Sequence, residues 1–201
     1  VVERGKGDQI FINTSGIGEL HPKASIGINR IKPGDRIILS NPIANHGMAI
    51  MSVRKGLEFE SEIVSDTRPL NHIVKLLLDK FGEDIHFLRD PTRGGVASVL
   101  NEIASDAHIG IDIIQKNIPV DDNVAGACEM LGLDPLYVAN EGRFVAFVPA
   151  RDAEAAARLL PGGAVVGAVT GEAAGRVWIQ SRMGARRLLD MLSGEQLPRI
   201  C

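Results

Sequence analysis

From about residue 30 onward, short apolar segments alternate with amphipathic helical ones, and Gly or Pro separates each segment from the next. Hairpin-like pairs of strands outnumber strand–helix–strand units in this pattern. We therefore expect an α+β fold (mixed α/β), with helices packed on a mostly antiparallel sheet. Strands are predicted at 36–40 and 85–89, and the segments 109–114 and 144–148 alternate like strands.

The clearest helix is predicted at residues 69–81, where apolar side chains recur at helical spacing and Gly82 follows the last of them. Asp66 or Thr67 is expected to cap this helix. Further helices are predicted at 95–105, 123–131, 153–160 and 184–192. A strand is predicted at 8–13, and a closing pair of strands at 164–170 and 175–180. We place a domain boundary after residue 30.

Composition excludes several classes of function. The net charge of −3 and the aromatic content of 4% provide neither the basic field nor the stacking platforms of a nucleic-acid-binding protein. No apolar run approaches the ~20 residues that span a bilayer, so we expect no membrane segment. The two cysteines are far apart in sequence, which argues against a disulfide framework or a zinc motif and favours a cytoplasmic location.

A glycine-rich turn at residues 89–96 (RDPTRGGV) joins a predicted strand to a predicted helix. Its two glycines allow close approach of a ligand, and the helix N-terminus offers N–H groups to an anion such as a phosphate. Asp90 is a candidate ligand of Mg²⁺, and Arg93 is a candidate contact to phosphate oxygens. The alternative is a structural turn in which Asp90 and Thr92 bond to the backbone. The predicted binding residues are Asp90, Thr92, Arg93, Gly94 and Gly95.

Two further polar segments interrupt apolar ones: NHGM at 45–48 and NEG at 140–142. His46 in the first is a candidate acid, base or phosphate contact, and the alternative is an ordinary turn before a helix. Glu141 in the second lies in a tight turn between apolar segments and is a candidate general base. The alternative for Glu141 is a solvated loop residue.

The two cysteines differ in their surroundings. Cys128 lies at helical spacing from Val124 and Leu131, so we expect it to be a core residue. Cys201 is the last residue and lies beyond any core pattern, which suits an accessible thiol that carries a group. The alternatives for Cys201 are an intermolecular disulfide or no function.

Five segments together resemble the HypE family of hydrogenase-maturation carbamoyl dehydratases in content and order. These segments are ERGKGD at 3–8, NHGMAIM at 45–51, RDPTRGG at 89–95, NEG at 140–142 and PRIC at 198–201. The resemblance runs along the whole chain. Its most specific parts are the DPTRGG turn and the terminal PRIC.

The resemblance implies membership of a superfamily of ATP-dependent enzymes that includes aminoimidazole ribonucleotide synthetase and selenophosphate synthetase. It implies a three-layer C-terminal α/β domain at 31–194. Residues 1–30 would be the end of an N-terminal domain that dimerises, making the full-length protein a homodimer, and that carries much of the ATP site. Residues 195–201 would be a flexible tail that carries the acceptor cysteine.

The resemblance also implies a reaction. In the family, the carbamoyltransferase HypF loads a carbamoyl group onto a C-terminal cysteine. ATP-dependent dehydration of this S-carboxamide then gives an S-cyanide, which passes to a HypC–HypD complex for the cyanide ligand of [NiFe]-hydrogenase. Carried onto this sequence, Cys201 is the acceptor, Glu141 is the base, and Asp90 is a ligand of the Mg²⁺ that accompanies ATP.

The chain begins at Val1 without an initiator Met, so we expect a fragment with little activity alone. Two alternatives remain for its function. The first is another ATP-dependent synthetase or kinase of the same superfamily, and the terminal cysteine argues against it because enzymes of diffusible substrates need no thiol on a tail. The second is a non-enzymatic thiol carrier or interaction module that presents Cys201 to partners.

Overall fold

The computed structural model describes residues 15–56 and 62–191. Within these ranges seven strands form one sheet: β1 (Arg36–Leu39), β2 (Phe87–Arg89), β3 (Gly110–Ile114), β4 (Val145–Val148), β5 (Ala164–Thr170), β6 (Arg176–Gln180) and β7 (Arg186–Leu188). The α-helices of the same ranges are α1 (Asn45–Lys55), α2 (Asn71–Phe81), α3 (Gly95–Ala107), α4 (Asp122–Leu131) and α5 (Ala153–Leu159).

The sheet has the strand order β2-β4-β1-β5-β3-β6-β7. Its neighbouring strands are antiparallel except for the parallel pair β3 and β6. Strands β4 and β1 lie inside the sheet rather than at its edges, and every residue of β4 is buried. This explains why β4 is a continuous apolar run, since both of its faces are covered.

Helices cover both faces of the sheet and make three layers. On one face, α3 packs against Ile37 and Leu39 of β1 and against the apolar residues of β3, β5 and β6. On the other face, α2 and α5 pack against Ile38 of β1 and against β4. The alternation of Ile37, Ile38 and Leu39 between the two clusters follows the period of two residues in a strand.

A third apolar cluster joins α1 to α4. Met48 of α1 packs with Val124 and Cys128 of α4 and with Val138 from the segment that precedes β4. This cluster fixes the start of α1 next to residues 138–142, which places two of the polar segments noted in the sequence side by side.

The expected fold class, an α+β three-layer domain with a mostly antiparallel sheet, is confirmed. The division at residues 30 and 194 stays a prediction, and the predicted strand at 8–13 and the tail at 195–201 lie outside the described residues. None of the helices within the described ranges combines the length and the hydropathy that a transmembrane span requires.

Three local predictions are wrong. The helix predicted at 184–192 is not present over the described residues 184–191: β7 occupies part of this range and pairs antiparallel with β6, which gains a hydrogen-bonded neighbour on its open side. Strands β5 and β6 are not neighbours, because β3 lies between them. Neither Asp66 nor Thr67 caps α2, whose N-cap residue is Leu70.

Candidate active site

The glycine-rich turn lies between the end of β2 and the start of α3, as the sequence predicts. Gly94 and Gly95 have φ angles of 69° and 65°, in the left-handed region where a side chain is strained. A Cβ atom on Gly95 would also overlap the carbonyl oxygen of Leu136. The second glycine is therefore required by the close approach of residues 136–138 as well as by its backbone angles.

The acidic and hydroxyl side chains of this turn contact each other. The Thr92 hydroxyl donates a hydrogen bond to the Asp90 carboxylate, and Asp90 and Arg93 are both exposed. This contact joins two side chains, whereas the structural alternative for the turn expects Asp90 and Thr92 to bond to the backbone. Exposure still leaves the Asp90 carboxylate accessible to a ligand.

Asn140 connects this turn to the start of α1. Its side chain is fully buried, and its Oδ1 accepts a hydrogen bond of 2.8 Å from the backbone N–H of Ala44. Its Nδ2 donates to the carbonyl oxygens of Pro91 and Val138, each at 3.0 Å. One amide side chain therefore joins all three polar segments that the sequence singles out.

Ala44, which Asn140 holds, has an unusual backbone conformation. Its φ is 75°, in a region that non-glycine residues rarely adopt, and it immediately precedes α1. The following Gly47 has no room for a Cβ atom because the Val138 side chain and the Ala139 backbone lie against it. The segment at 45–48 is therefore a tightly constrained helix start rather than an ordinary surface turn.

Asp66 holds the turn at 140–142. Its Oδ1 accepts hydrogen bonds from the backbone N–H groups of Glu141 and Gly142, at 2.9 and 3.1 Å. Its other oxygen lies 3.7 Å from Nε of the buried Arg143. Burial lowers the pKa of the Arg143 guanidinium from its ordinary value, and the charge of Asp66 opposes that shift.

Glu141 and the glycine-rich turn line the same cavity, which has a volume of about 440 Å³. Oε1 of Glu141 is buried and has no hydrogen-bond partner among the described residues. The rest of the lining comes from the turn and from α3: Arg89, Asp90, Thr92, Arg93, Val99 and Glu102. The structure thus brings Glu141 together with the predicted phosphate-binding turn.

His46 lies near this assembly but outside the cavity lining. It is 8% exposed, and its Nδ1 is 2.9 Å from the Ser65 hydroxyl and 3.4 Å from that of Thr67. Its Nε2 is buried without a hydrogen-bond partner in the described part of the chain. Ser65 and Thr67 therefore contact His46, and Asp66 between them contacts the turn that carries Glu141.

Cys201 lies outside the described residues, whereas Cys128 is in the core, as the sequence predicts. Cys128 is 1% exposed on α4. Burial, and secondarily the charge of Asp134, raises the pKa of its thiol to about 11. The neutral thiol is a poor nucleophile, so Cys128 is a structural residue.

A larger cleft, of about 730 Å³, lies on the sheet beside β3, β5 and the turn between β6 and β7. None of the described residues that line it belongs to the polar segments at 45–48, 89–96 and 140–142. Size alone does not identify the site here. The smaller cavity is lined by Glu141, whose Oε1 has no hydrogen-bond partner in the described part of the chain, and by Asp90, Thr92 and Arg93 of the turn, so we take it as the candidate active site.

Comparison with known proteins identifies the family of the chain. The family model for AIR synthase related protein, C-terminal domain, matches residues 32–180. The chain belongs to this family. Over 207 residues it is 46% identical to carbamoyl dehydratase HypE of Azotobacter vinelandii, a match that covers 100% of this chain and 60% of the relative. The chain therefore spans about 60% of the length of the curated relatives that it matches.

Solved structures of HypE have the same fold. A HypE structure in complex with ATP gives a TM-score of 0.82 at 42% identity, covering 87% of this chain and 55% of that chain. A HypE–HypF complex gives a TM-score of 0.81 at 39% identity, covering 86% of this chain and 58% of that chain. The resemblance to HypE found in the sequence is confirmed.

The residues that hold the site together are not evident from the sequence. From the sequence, Asp66 is predicted only as a helix cap, and no role is predicted for Asn140, Arg68 or Arg143. A short polar side chain between apolar segments forms capping and backbone bonds in many folds, so residue type alone does not reveal these roles. One sequence feature does point to Asn140: it directly precedes Glu141, which the sequence predicts to be functional.

Proposed function

We propose that this chain is part of an ATP-dependent carbamoyl dehydratase that makes the cyanide ligand in [NiFe]-hydrogenase maturation. The observation that carries the proposal is the Glu141 carboxylate, whose buried Oε1 has no hydrogen-bond partner within residues 15–56 and 62–191 and shares a cavity with the glycine-rich turn. The identity to HypE along the whole chain supports it. The activity belongs to the full-length protein, of which this chain covers about 60% by comparison with relatives.

The proposed reaction converts an S-carboxamide, –S–C(=O)NH2, on Cys201 into an S-cyanide, –S–C≡N. The carbon–oxygen bond breaks, and both protons leave the nitrogen as the triple bond forms. ATP, when bound, supplies the phosphoryl group that lets the oxygen depart as phosphate instead of hydroxide. The products are then the S-cyanide, ADP, phosphate and the two protons from nitrogen, which the base takes one at a time and releases to phosphate or solvent, so that all atoms balance.

Glu141 is the proposed acceptor of the protons from nitrogen. A general base must lie within hydrogen-bond reach of the proton that it takes. The Glu141 turn is held rigidly by Asp66, and its Oε1 has no internal partner in the described part of the chain that would compete for a substrate N–H group. These two features suit a carboxylate that accepts a proton from a bound ligand.

The glycine-rich turn is the proposed contact to the phosphates. Gly94 and Gly95 start α3 without a side-chain cap, and the positive end of the helix is the proposed attraction for an anion. Arg93 and Thr92 are the proposed side-chain contacts to phosphate oxygens. His46, through its buried Nε2, is a further proposed phosphate contact.

Asp90 is the proposed ligand of Mg²⁺. The described residues contain no group of three or more His, Cys, Asp or Glu side chains that would hold a metal by themselves. Mg²⁺ is usually held by one or two carboxylates together with phosphate oxygens and water, so a single exposed Asp beside a phosphate site fits this ion. The ion would neutralise phosphate charge there.

The proposed partners of the full-length protein are HypF, which loads Cys201, and a HypC–HypD complex, which receives the cyano group. A solved complex of HypE with HypF supports the first of these. A homodimer and a cytoplasmic location complete the proposal.

The loading step tests the carrier assignment. Full-length protein incubated with HypF, carbamoyl phosphate and ATP is expected to gain covalent mass on Cys201 alone, as read by intact mass and peptide mapping. Cys201→Ala should abolish loading, and Cys128→Ala should leave it unchanged because that thiol is buried. Loading that survives in Cys201→Ala would refute the proposal.

A further inference from the structure

We infer that Asp66 is the positioning residue of the dehydration step, acting by fixing the backbone from which the Glu141 carboxylate enters the cavity. This inference rests on the proposed function, because it assigns a role toward the proposed base. Asp66 itself is 6% exposed, and its described contacts are to the Glu141 turn and its neighbours rather than to the cavity.

A single carboxylate oxygen makes a pair of hydrogen bonds to the turn. Oδ1 of Asp66 accepts from the consecutive N–H groups of Glu141 and Gly142, at 2.9 and 3.1 Å. Two bonds to successive peptide groups fix the orientation of both peptide planes. They therefore fix the direction in which the Cα–Cβ bond of Glu141 leaves the turn.

Close backbone contact behind the turn is a second constraint. A Cβ atom on Gly142 would overlap the carbonyl oxygen of Asp66, so the two backbones touch. The Gly142 carbonyl accepts hydrogen bonds from Arg68 Nε at 3.3 Å and from Arg143 Nη1 at 3.1 Å. Both polar backbone atoms of Gly142 are thus held by side chains from two different segments.

Charge is a third constraint. Arg143 is 8% exposed, and its Nε lies 3.7 Å from the second Asp66 oxygen while donating at 2.7 Å to the Pro42 carbonyl. The buried guanidinium and the buried carboxylate partly neutralise each other. The Asp66 side chain is thereby held in the interior, where its Oδ1 accepts the two hydrogen bonds from the turn.

A double-mutant cycle on the full-length protein tests this role. The variants are Asp66→Ala, Glu141→Gln and the double variant, each first loaded with a carbamoyl group on Cys201. The readout is the single-turnover rate of cyano-form appearance with saturating Mg-ATP, followed by intact mass. A base that is misplaced by about 1 Å loses on the order of 100-fold in rate.

The expected result is that each single variant loses about 100-fold or more, and that the double variant is no slower than Glu141→Gln alone. Such non-additivity follows only if Asp66 acts through Glu141. A double variant whose loss is the product of the two single losses overturns the inference while leaving the proposed base in place. An Asp66→Ala rate close to wild type also overturns it. Glu141→Gln at the wild-type rate refutes both the inference and the proposed function.

Two further variants separate positioning from loss of folding. Asp66→Asn keeps an oxygen that accepts both N–H groups, so its rate should stay within about 10-fold of wild type. An Asp66→Asn rate as low as that of Glu141→Gln overturns the inference. The matched control is Asp35→Asn, which alters a carboxylate that is 2% exposed and contacts His86 Nδ1 at 2.7 Å outside the cavity. The control should lower the midpoint of thermal unfolding without changing the dehydration rate.

Discussion

At the scale of single residues, the site depends on groups that bind backbone rather than ligand. Asn140 accepts from Ala44 and donates to Pro91 and Val138, so its buried amide has partners on both its oxygen and its nitrogen. Oδ1 of Asp66 accepts from two backbone N–H groups of the Glu141 turn. Buried polar groups of this kind are costly unless they are paired, which is why each one determines a unique local conformation.

A glycine substitution tests the backbone contact behind Glu141. Gly142→Ala should lower the free energy of unfolding by about 1–3 kcal/mol, because the new methyl group overlaps the Asp66 carbonyl oxygen. The matched control is Gly126→Ala in α4, where a methyl group would meet no atom within 4 Å and alanine is the better helix former. Urea denaturation of both variants measures the difference, and equal stabilities would contradict the contact.

The reactivity of Cys128 is a second test at this scale. With a pKa raised to about 11, the thiol is almost entirely protonated at neutral pH and gains thiolate only as the pH approaches that value. Alkylation of Cys128 in the native protein should therefore be slow at neutral pH and become fast after denaturation. Peptide mapping that finds rapid labelling of native Cys128 would contradict its burial.

At the scale of elements, the sequence predicts those whose patterns are local. The period of α2 and the continuous apolar run of β4 correspond to elements in the structure, because burial on one or two faces determines these patterns directly. For the segment predicted as a helix at 184–192, the local pattern indicates the wrong element. Its pattern favours a helix, but a partner strand, β6, is available and the pairing creates β7. Local patterns carry no information about such pairing.

The start of α3 offers a prediction with a closely matched control. Gly95 and Gly132 both have a φ of 65°, but only Gly95 lies against another backbone segment, at residues 136–138. Gly132→Ala should cost about 1–2 kcal/mol from the strained conformation alone. Gly95→Ala should cost a further 1–3 kcal/mol, roughly, from the overlap. Thermal or urea unfolding that gives equal losses would show that the close approach is absent.

At the scale of the whole molecule, the site is assembled from segments near residues 46, 66, 90 and 141. The third apolar cluster brings α1 toward residues 138–142, and Asn140 then joins both to the turn before α3. The sequence identifies three of these segments by residue type. It does not predict the role of Asp66, because the contact from Asp66 to Glu141 spans 75 positions and depends on the completed fold.

The two-sided core leads to a prediction about the chain on its own. Helices cover both faces of the sheet, so residues 1–201 should unfold cooperatively as an isolated protein. The chain spans about 60% of its curated relatives, and we expect the remainder to supply much of the nucleotide site. Calorimetric titration with Mg-ATP should give no micromolar binding, and a micromolar dissociation constant would contradict this division.

Intact mass spectrometry can show whether Glu141 removes protons from a carbamoyl group on Cys201. Full-length protein is loaded with the carbamoyl group, mixed with Mg-ATP and weighed over time, alongside Glu141→Gln and the control Glu154→Gln in the exposed face of α5. We predict that wild type and Glu154→Gln lose the mass of one water, while Glu141→Gln keeps the carbamoyl mass. Loss of water by Glu141→Gln at the wild-type rate would contradict this role of Glu141.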